Sequence, residues 1–252
     1  MTGSPVRLGL LYPGHAAEDD LPWLVDALFP DGSVVADVVH TSMDEDAHDV
    51  EVLLDLGSPR RLHAGADILR DHGADVAVWA CTSGSFVFGW EGAQRQAADL
   101  AERFGGPASS TSLAFVAALR ALAVRRVAIA ATYPEPVTAC LVEMLGDAGF
   151  EVLGSGSEGI VTAAEVGTLD EEALMTFARA GDRPDAEALL VPDTALHTVR
   201  SLQAMEDALG KSVLTANQVS VWDALRLAGH DVAPRPGFGA LFAGRSLAEA
   251  RR

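Results

Sequence analysis

Two short stretches of the chain carry residues able to do chemistry, and they have the same form. In the first, Val76-Ala77-Val78-Trp79-Ala80 runs into Cys81, Thr82, Ser83, Gly84 and Ser85. A thiol at the end of an apolar, β-branched run is a candidate nucleophile. The hydroxyl residues behind it can cap a helix whose leading N–H groups then face a ligand. A helix N-terminus also favours thiolate over thiol, so this placement predicts a lowered Cys81 pKa. In the second stretch, Ala188-Leu189-Leu190-Val191-Pro192 runs into Asp193 and Thr194. A carboxyl group there is a candidate acid or base. Taken alone, the first stretch also fits a buried structural cysteine, and the rest of the chain decides between the two readings.

The chain repeats itself. Its only two tyrosines, Tyr12 and Tyr133, are each followed by a proline (Pro13 and Pro134), and each closes an apolar run. Ala74-Asp75 through Ala80-Cys81-Thr82 has the form of Ala186-Glu187 through Pro192-Asp193-Thr194, with equal spacing throughout. Ser110-Thr111 through Ala118-Leu119-Arg120 corresponds in the same way to Ala216-Asn217 through Ala224-Leu225-Arg226. Three matches in the same order predict two similar halves related by a pseudo-twofold.

The elements that position these residues follow from periodicity. Apolar runs at 7–12, 34–40, 76–80, 126–131, 150–153 and 188–191 read as strands, and helical patterns separate them. Helices are expected over 59–72, to Phe104, over 113–123, to Gly149, over 169–180 and from Leu196 to Leu209. Gly154-Ser155-Gly156 reads as a loop, and a Pro/Gly-rich tail ends the chain. Alternating strands and helices predict an α/β fold: two Rossmann-like halves, each a parallel sheet flanked by helices. Ligands of such sheets bind outside the carboxyl ends of the strands. That places Cys81 and Asp193 on opposite sides of a shared cleft. Residues 1–112 with 216–252 form the first half in this division, and 113–215 the second.

Composition narrows the partners. A formal charge of −18 over 252 residues opposes binding to nucleic acid and to anionic membranes. No apolar run approaches the roughly 18 residues needed to span a bilayer. Two cysteines in unrelated contexts and no basic-then-apolar leader point to a reducing cytoplasm. A homo-oligomer is compatible with all of this. Of the remaining candidates, His15 beside the Tyr12-Pro13 turn is a polar site residue. His197, four residues after Asp193, reads as a packing residue in a helix. The acidic run 44–49 reads as a solvated loop and helix start. Trp79, Phe86, Phe88 and Cys140 read as core. No metal-ligand spacing is present.

Two blocks carry a resemblance to a known family. Ser110-Thr111-Ser112 with Leu119-Arg120-Ala121-Leu122 and Arg125-Arg126-Val127-Ala128 form one. Trp222-Asp223-Ala224-Leu225-Arg226-Leu227-Ala228-Gly229 with Arg235-Pro236-Gly237-Phe238-Gly239 form the other. They resemble the aspartate/glutamate racemase superfamily, in its maleate isomerase and arylmalonate decarboxylase branch. The resemblance implies no cofactor and a cleft for a small carboxylate or dicarboxylate. It makes Cys81 the first catalytic cysteine and puts Asp193 where the second cysteine belongs. Thr82, Ser83 and Tyr133 match hydroxyls that cradle the substrate carboxylate or its enediolate, and Tyr12, Pro13, His15 and Thr194 would complete the pocket. The thiol and carboxylate pair departs from the two-thiol pattern of the isomerases and racemases, and from the decarboxylase, which keeps only the second thiol. The expected activity is cis–trans isomerisation of a small unsaturated dicarboxylate. Decarboxylation of a disubstituted malonate, amino-acid racemisation and carboxylate binding without catalysis are the alternatives.

Overall fold

The computed structural model describes residues 4–230 and 234–244. The first half of the chain runs β1 (Val6–Pro13), α1 (Asp20–Leu28), β2 (Val34–Thr41), α2 (Val50–Leu56), α3 (Pro59–Asp71), β3 (Val76–Trp79), α4 (Ser83–Phe86), α5 (Gly89–Phe104), β4 (Ala108–Ser110) and α6 (Thr111–Ala121). The second runs β5 (Arg126–Ala131), α7 (Glu135–Asp147), β6 (Glu151–Ser157), α8 (Ala163–Val166), α9 (Glu171–Gly181), β7 (Ala188–Val191), α10 (Leu202–Leu209), β8 (Ser212–Thr215), α11 (Ala216–Leu227) and α12 (Gly239–Ala243).

The strands form two four-stranded sheets, β2-β1-β3-β4 and β6-β5-β7-β8, and every pairing is parallel. The second sheet thus repeats the order of the first. Strands β3, β7 and β8 are buried along their whole length, as parallel strands covered by helices on both faces must be. Alternation along β3 sends Val76 and Val78 into one apolar layer and Ala77 and Trp79 into the other. Each layer contains residues from both sheets, so the lobes share continuous cores. Trp79 and Phe86 are buried in the first of them.

Helices α6 and α11, the two repeat-related helices, pack on each other at the junction. Thr111 and Ser220 meet there, Oγ1 to Oγ at 2.6 Å. Helix α11 leaves β8 and lies against β1, β3 and β4 of the first sheet, whereas α12 sits against β8 and α10. The first half drawn from the sequence includes positions 1–3, 231–233 and 245–252, which lie outside the described residues.

Two local expectations are corrected. The strand β6 continues through Gly154-Ser155-Gly156 instead of ending before them, with a register shift against Val127 and Ala128. At Gly154 an added Cβ would come within 2.6 Å of the Arg183 side chain, whereas at Gly156 it would meet only ordinary contacts at 3.7 Å. Residues 196–201 are irregular, with a turn at 199–201, and α10 starts only at Leu202. The tail contains the short helix α12, which puts Leu241 and Phe242 into the core.

Gly9 sits in the central strand β1, where an added Cβ would come within 2.6 Å of the Val76 carbonyl oxygen and 2.8 Å of Leu69 Cδ1. Neither backbone nor packed core can give that much, so Gly9→Ala should destabilise the fold by about 1–3 kcal/mol. A chain of this size loses about 2–4 °C in Tm per kcal/mol. Thermal denaturation checks this, and an unchanged Tm would contradict it.

Candidate active site

The carboxyl ends of β1, β3 and β7 meet over a small cavity between the lobes. Tyr12 and Pro13 come from the end of β1, Cys81 and Ser83 from just beyond β3, and Asp193, Thr194 and Ala195 from just beyond β7. The cavity is covered by Met43, Glu45, Asp46, Ala47 and His48 of the β2–α2 segment, by Leu53 and Leu56 of α2, and by Ala163 at the start of α8.

Cys81 is almost wholly buried. Its Sγ accepts the Gly84 N–H at 3.3 Å and lies 3.8 Å from the Ser83 hydroxyl. These contacts favour the thiolate, but they are outweighed. Burial, the dominant cause, together with the nearby Asp193 charge, pushes the Cys81 thiol up to about 11. The expected lowering is therefore corrected. The helix behind the thiol, α4, is a single turn, and Thr82 makes no capping bond to it. Ser85 spends its hydroxyl on Ser110 at 2.8 Å. Desolvation, which depends on the whole fold, overrides the local dipole.

Asp193 is also buried and held from two sides. Its Oδ1 accepts the Ala195 N–H at 2.9 Å, and its Oδ2 accepts the Thr132 hydroxyl in a short hydrogen bond. Thr132 follows β5, so the neighbouring strand end aims this carboxylate.

The two tyrosines frame the pair. The Tyr12 hydroxyl donates to the Thr194 carbonyl at 3.0 Å and accepts the Ala17 N–H at 3.2 Å. The Tyr133 hydroxyl donates to the Pro192 carbonyl at 2.9 Å. Burial drives both phenols well above their ordinary range, so both stay neutral donors. Their hydroxyls hold the 192–194 backbone. Asn217, the repeat counterpart of Thr111, donates to the Thr194 carbonyl at 3.1 Å and the Leu196 carbonyl at 3.3 Å. Asp20 accepts the N–H of Thr198 at 2.7 Å and of Val199 at 3.2 Å. The turn after Asp193 is thus anchored from three elements.

Of the residues expected in a pocket, Tyr12, Pro13, Cys81, Ser83, Asp193 and Thr194 line the same cavity. Thr82 and Tyr133 lie behind it, and the fully buried Thr82 Oγ1 makes no hydrogen bond of good geometry although the Tyr133 hydroxyl lies beside it. His15 is outside it, because Gly14 turns the chain at a φ of +62° and leaves the ring exposed. There it stacks on His40 with centroids 4.1 Å apart and pairs with Glu18 at 2.8 Å. His197 lies in the irregular segment before α10 and pairs with Asp19 at 2.8 Å on the surface. Cys140 is partly exposed on α7, packed against the core.

The cover was not evident from local sequence. Asp46 accepts the N–H groups of Ala163 at 2.9 Å and Ala164 at 3.0 Å. His48 donates its backbone N–H to the Val161 carbonyl at 2.6 Å and its ring Nδ1–H to the Ile160 carbonyl at 2.9 Å. Its ring also stands edge-on to Tyr133, with centroids 4.9 Å apart. The enclosed space is only about 30 Å³, enough for one or two waters. A ligand larger than that requires part of this cover to move aside.

A buried thiol and a buried carboxylate on equivalent strand ends, inside a closed two-lobed α/β frame, define a protein built for acid–base or nucleophilic work on a small molecule. Among the described residues no helix is long and apolar enough to cross a membrane. The chain belongs to the arylmalonate decarboxylase family, whose family model matches residues 8–242. The arylmalonate decarboxylase of Bordetella bronchiseptica is 33% identical over 176 residues, covering 69% of this chain and 73% of that protein. Two solved structures share the fold over 94% of this chain and 98% of theirs. One is a double mutant of arylmalonate decarboxylase in its liganded form, in which a glycine is replaced by cysteine and a cysteine by serine (27% identity, TM-score 0.80). The other is a cysteine-to-serine mutant of Nocardia farcinica maleate cis–trans isomerase with a covalently bound succinylcysteine intermediate (25% identity, TM-score 0.85).

Proposed function

We propose that this protein is a cofactor-independent cis–trans isomerase of a small unsaturated dicarboxylate, with Cys81 as nucleophile and Asp193 as its proton partner. The observation that carries the reading is the placement of the thiol and the carboxylate on one cavity, with burial keeping the thiol protonated at rest. A protonated thiol needs a base to become a nucleophile, and Asp193 is the buried carboxylate at hand.

Asp193 takes the thiol proton as the sulfur adds to one olefinic carbon. The π electron pair passes into the adjacent carboxylate, which becomes an enediolate. The former double bond is now single and rotates. The enediolate then collapses, the C–S bond breaks, and the sulfur recovers its proton from Asp193. Ser83 and Thr194 supply hydroxyls at the cavity wall for the developing negative charge. If the proton goes to carbon instead, the adduct rests as a succinylcysteine, the species present in the Nocardia isomerase mutant. That mutant has lost one cysteine to serine, which supports a covalent step carried by a single thiol.

Decarboxylation of a disubstituted malonate is the second reading. The family model and the 33% identical relative favour it. There Cys81 would reprotonate the enediolate left by loss of carbon dioxide. Incubation with maleate followed by proton NMR separates the two. Fumarate formation is expected; carbon dioxide from phenylmalonate with no fumarate from maleate would replace the first reading with the second.

The cover makes its own prediction. Asp46→Ala removes two hydrogen bonds to the start of α8, and bonds to a charged acceptor contribute about 1.5–3 kcal/mol each. KM should rise by about tenfold, with faster proteolysis inside residues 42–49. An unchanged KM and an unchanged cleavage pattern would contradict a moving cover.

A further inference from the structure

We infer that His48 is the residue that selects a second carboxylate on the substrate, by presenting its ring Nε2 to it from the cover of the cavity. This inference rests on the dicarboxylate reading of the site and assigns one of its two anionic groups a partner.

A dicarboxylate brings two negative charges into a cavity whose lining already holds Glu45, Asp46 and Asp193. The protein carries a net −18, so no overall field draws the ligand in. Among the described residues no lysine or arginine lines the cavity, and His48 is the single lining residue able to bear a positive charge. Asp46 is committed to α8 through Ala163 and Ala164. Burying a second carboxylate without a compensating partner would cost more than the cavity wall returns.

The geometry of His48 suits that task. His48 is 7% exposed, and its ring is fixed by two contacts that leave one nitrogen uncommitted. A carbonyl oxygen can only accept, so Nδ1 carries the proton donated to Ile160. The ring edge packs on Tyr133. Nε2 is therefore the atom left for a ligand, and on protonation it becomes a charged donor. Nδ1 tied to a carbonyl with Nε2 presented to a ligand is the usual way a protein orients an imidazole. His48 also rides on the cover, and its backbone N–H and ring both bond the 160–161 segment of the other lobe. Recognition of the second carboxylate and closure of the cavity are thereby joined in one residue. A monocarboxylate has nothing to offer Nε2 and gains nothing from it.

The test is direct binding to the full-length protein by titration calorimetry, with succinate as the dicarboxylate and butyrate as the monocarboxylate. Neither probe has a double bond, so binding is read without turnover. His48→Asn keeps a side-chain N–H for the Ile160 carbonyl but removes the cation. Succinate affinity is expected to fall by at least about tenfold, as for loss of a charge-assisted hydrogen bond, with butyrate affinity unchanged. Asp46→Ala, which loosens the cover and keeps the imidazole, should weaken both ligands by the same factor. Equal losses for both ligands in His48→Asn would show a merely structural role and overturn the inference. So would wild-type protein that binds succinate no better than butyrate. Selective binding through His48 with no fumarate formed from maleate would sustain this inference and sink the isomerase reading alone.

Discussion

Cys81→Ser should abolish turnover of maleate, lowering kcat by about a thousandfold or more, with the fold intact. Serine fills the site and can still accept the Gly84 N–H, so neither packing nor the turn into α4 is lost. What is lost is a polarisable nucleophile whose anion is accessible to a carboxylate base. A hydroxyl is far harder to ionise than a thiol and is the weaker nucleophile. Losses of this size are usual when the group that forms the covalent bond is removed. The measurement is steady-state isomerisation beside a circular dichroism melt. Retained turnover in a folded Cys81→Ser protein would remove the nucleophile from the mechanism, whereas Cys140, partly exposed on α7, should tolerate the same change without effect on rate.

The second large effect separates two properties that normally move together. Asp193→Asn should lower kcat by about 10²- to 10⁴-fold, the range for loss of a positioned acid or base. The same change should make Cys81 more reactive towards iodoacetamide at pH 8. In the wild type, burial and the Asp193 charge both hold the thiol up near 11. Between neutrality and that value the thiolate fraction rises about tenfold per pH unit, and the alkylation rate should follow without a plateau. An amide at 193 removes the repulsive charge but not the burial, so the thiol pKa falls part of the way and alkylation at fixed pH speeds up. A slower catalyst with a more reactive thiol is the signature of a base lost. A parallel fall in both would mean that Asp193 only supports the fold around Cys81.

Much of this arrangement was legible in the chain because duplication is a long-range signal written in order. Equal spacing between Cys81 and Asp193 and between Asp75 and Glu187 made them equivalent positions, and parallel α/β topology puts equivalent strand ends on one side. The matching sheet orders and the cavity between Cys81, Asp193 and Tyr12 are consistent with that placement. Three features were hidden for physical reasons. His48 sits in a run of acidic residues that reads as solvated, and its burial comes from contacts with Ile160, Val161 and Tyr133 far along the chain. The thiol pKa has the wrong sign when judged from the local turn, since desolvation by burial outweighs the contacts from Gly84 and Ser83. His15 is adjacent to the Tyr12-Pro13 turn in sequence but not in space, because one left-handed glycine sends the following side chain outward. Asn217, Asp20 and Thr132, which aim the 192–199 turn and Asp193, look like ordinary helix-start and strand-end residues until their partners are seen.

The most direct test of the covalent account is peptide mapping by mass spectrometry after Asp193→Asn protein is incubated with maleate. Without Asp193 no base removes the carbon proton that a succinylcysteine must lose to collapse, whereas solvent can deliver that proton as the adduct forms on the more reactive thiol. The peptide containing Cys81 should then carry the added mass of one maleate, and the peptide containing Cys140 should not. An unmodified Cys81 peptide under conditions where maleate is bound would contradict a mechanism that runs through a bond to this sulfur.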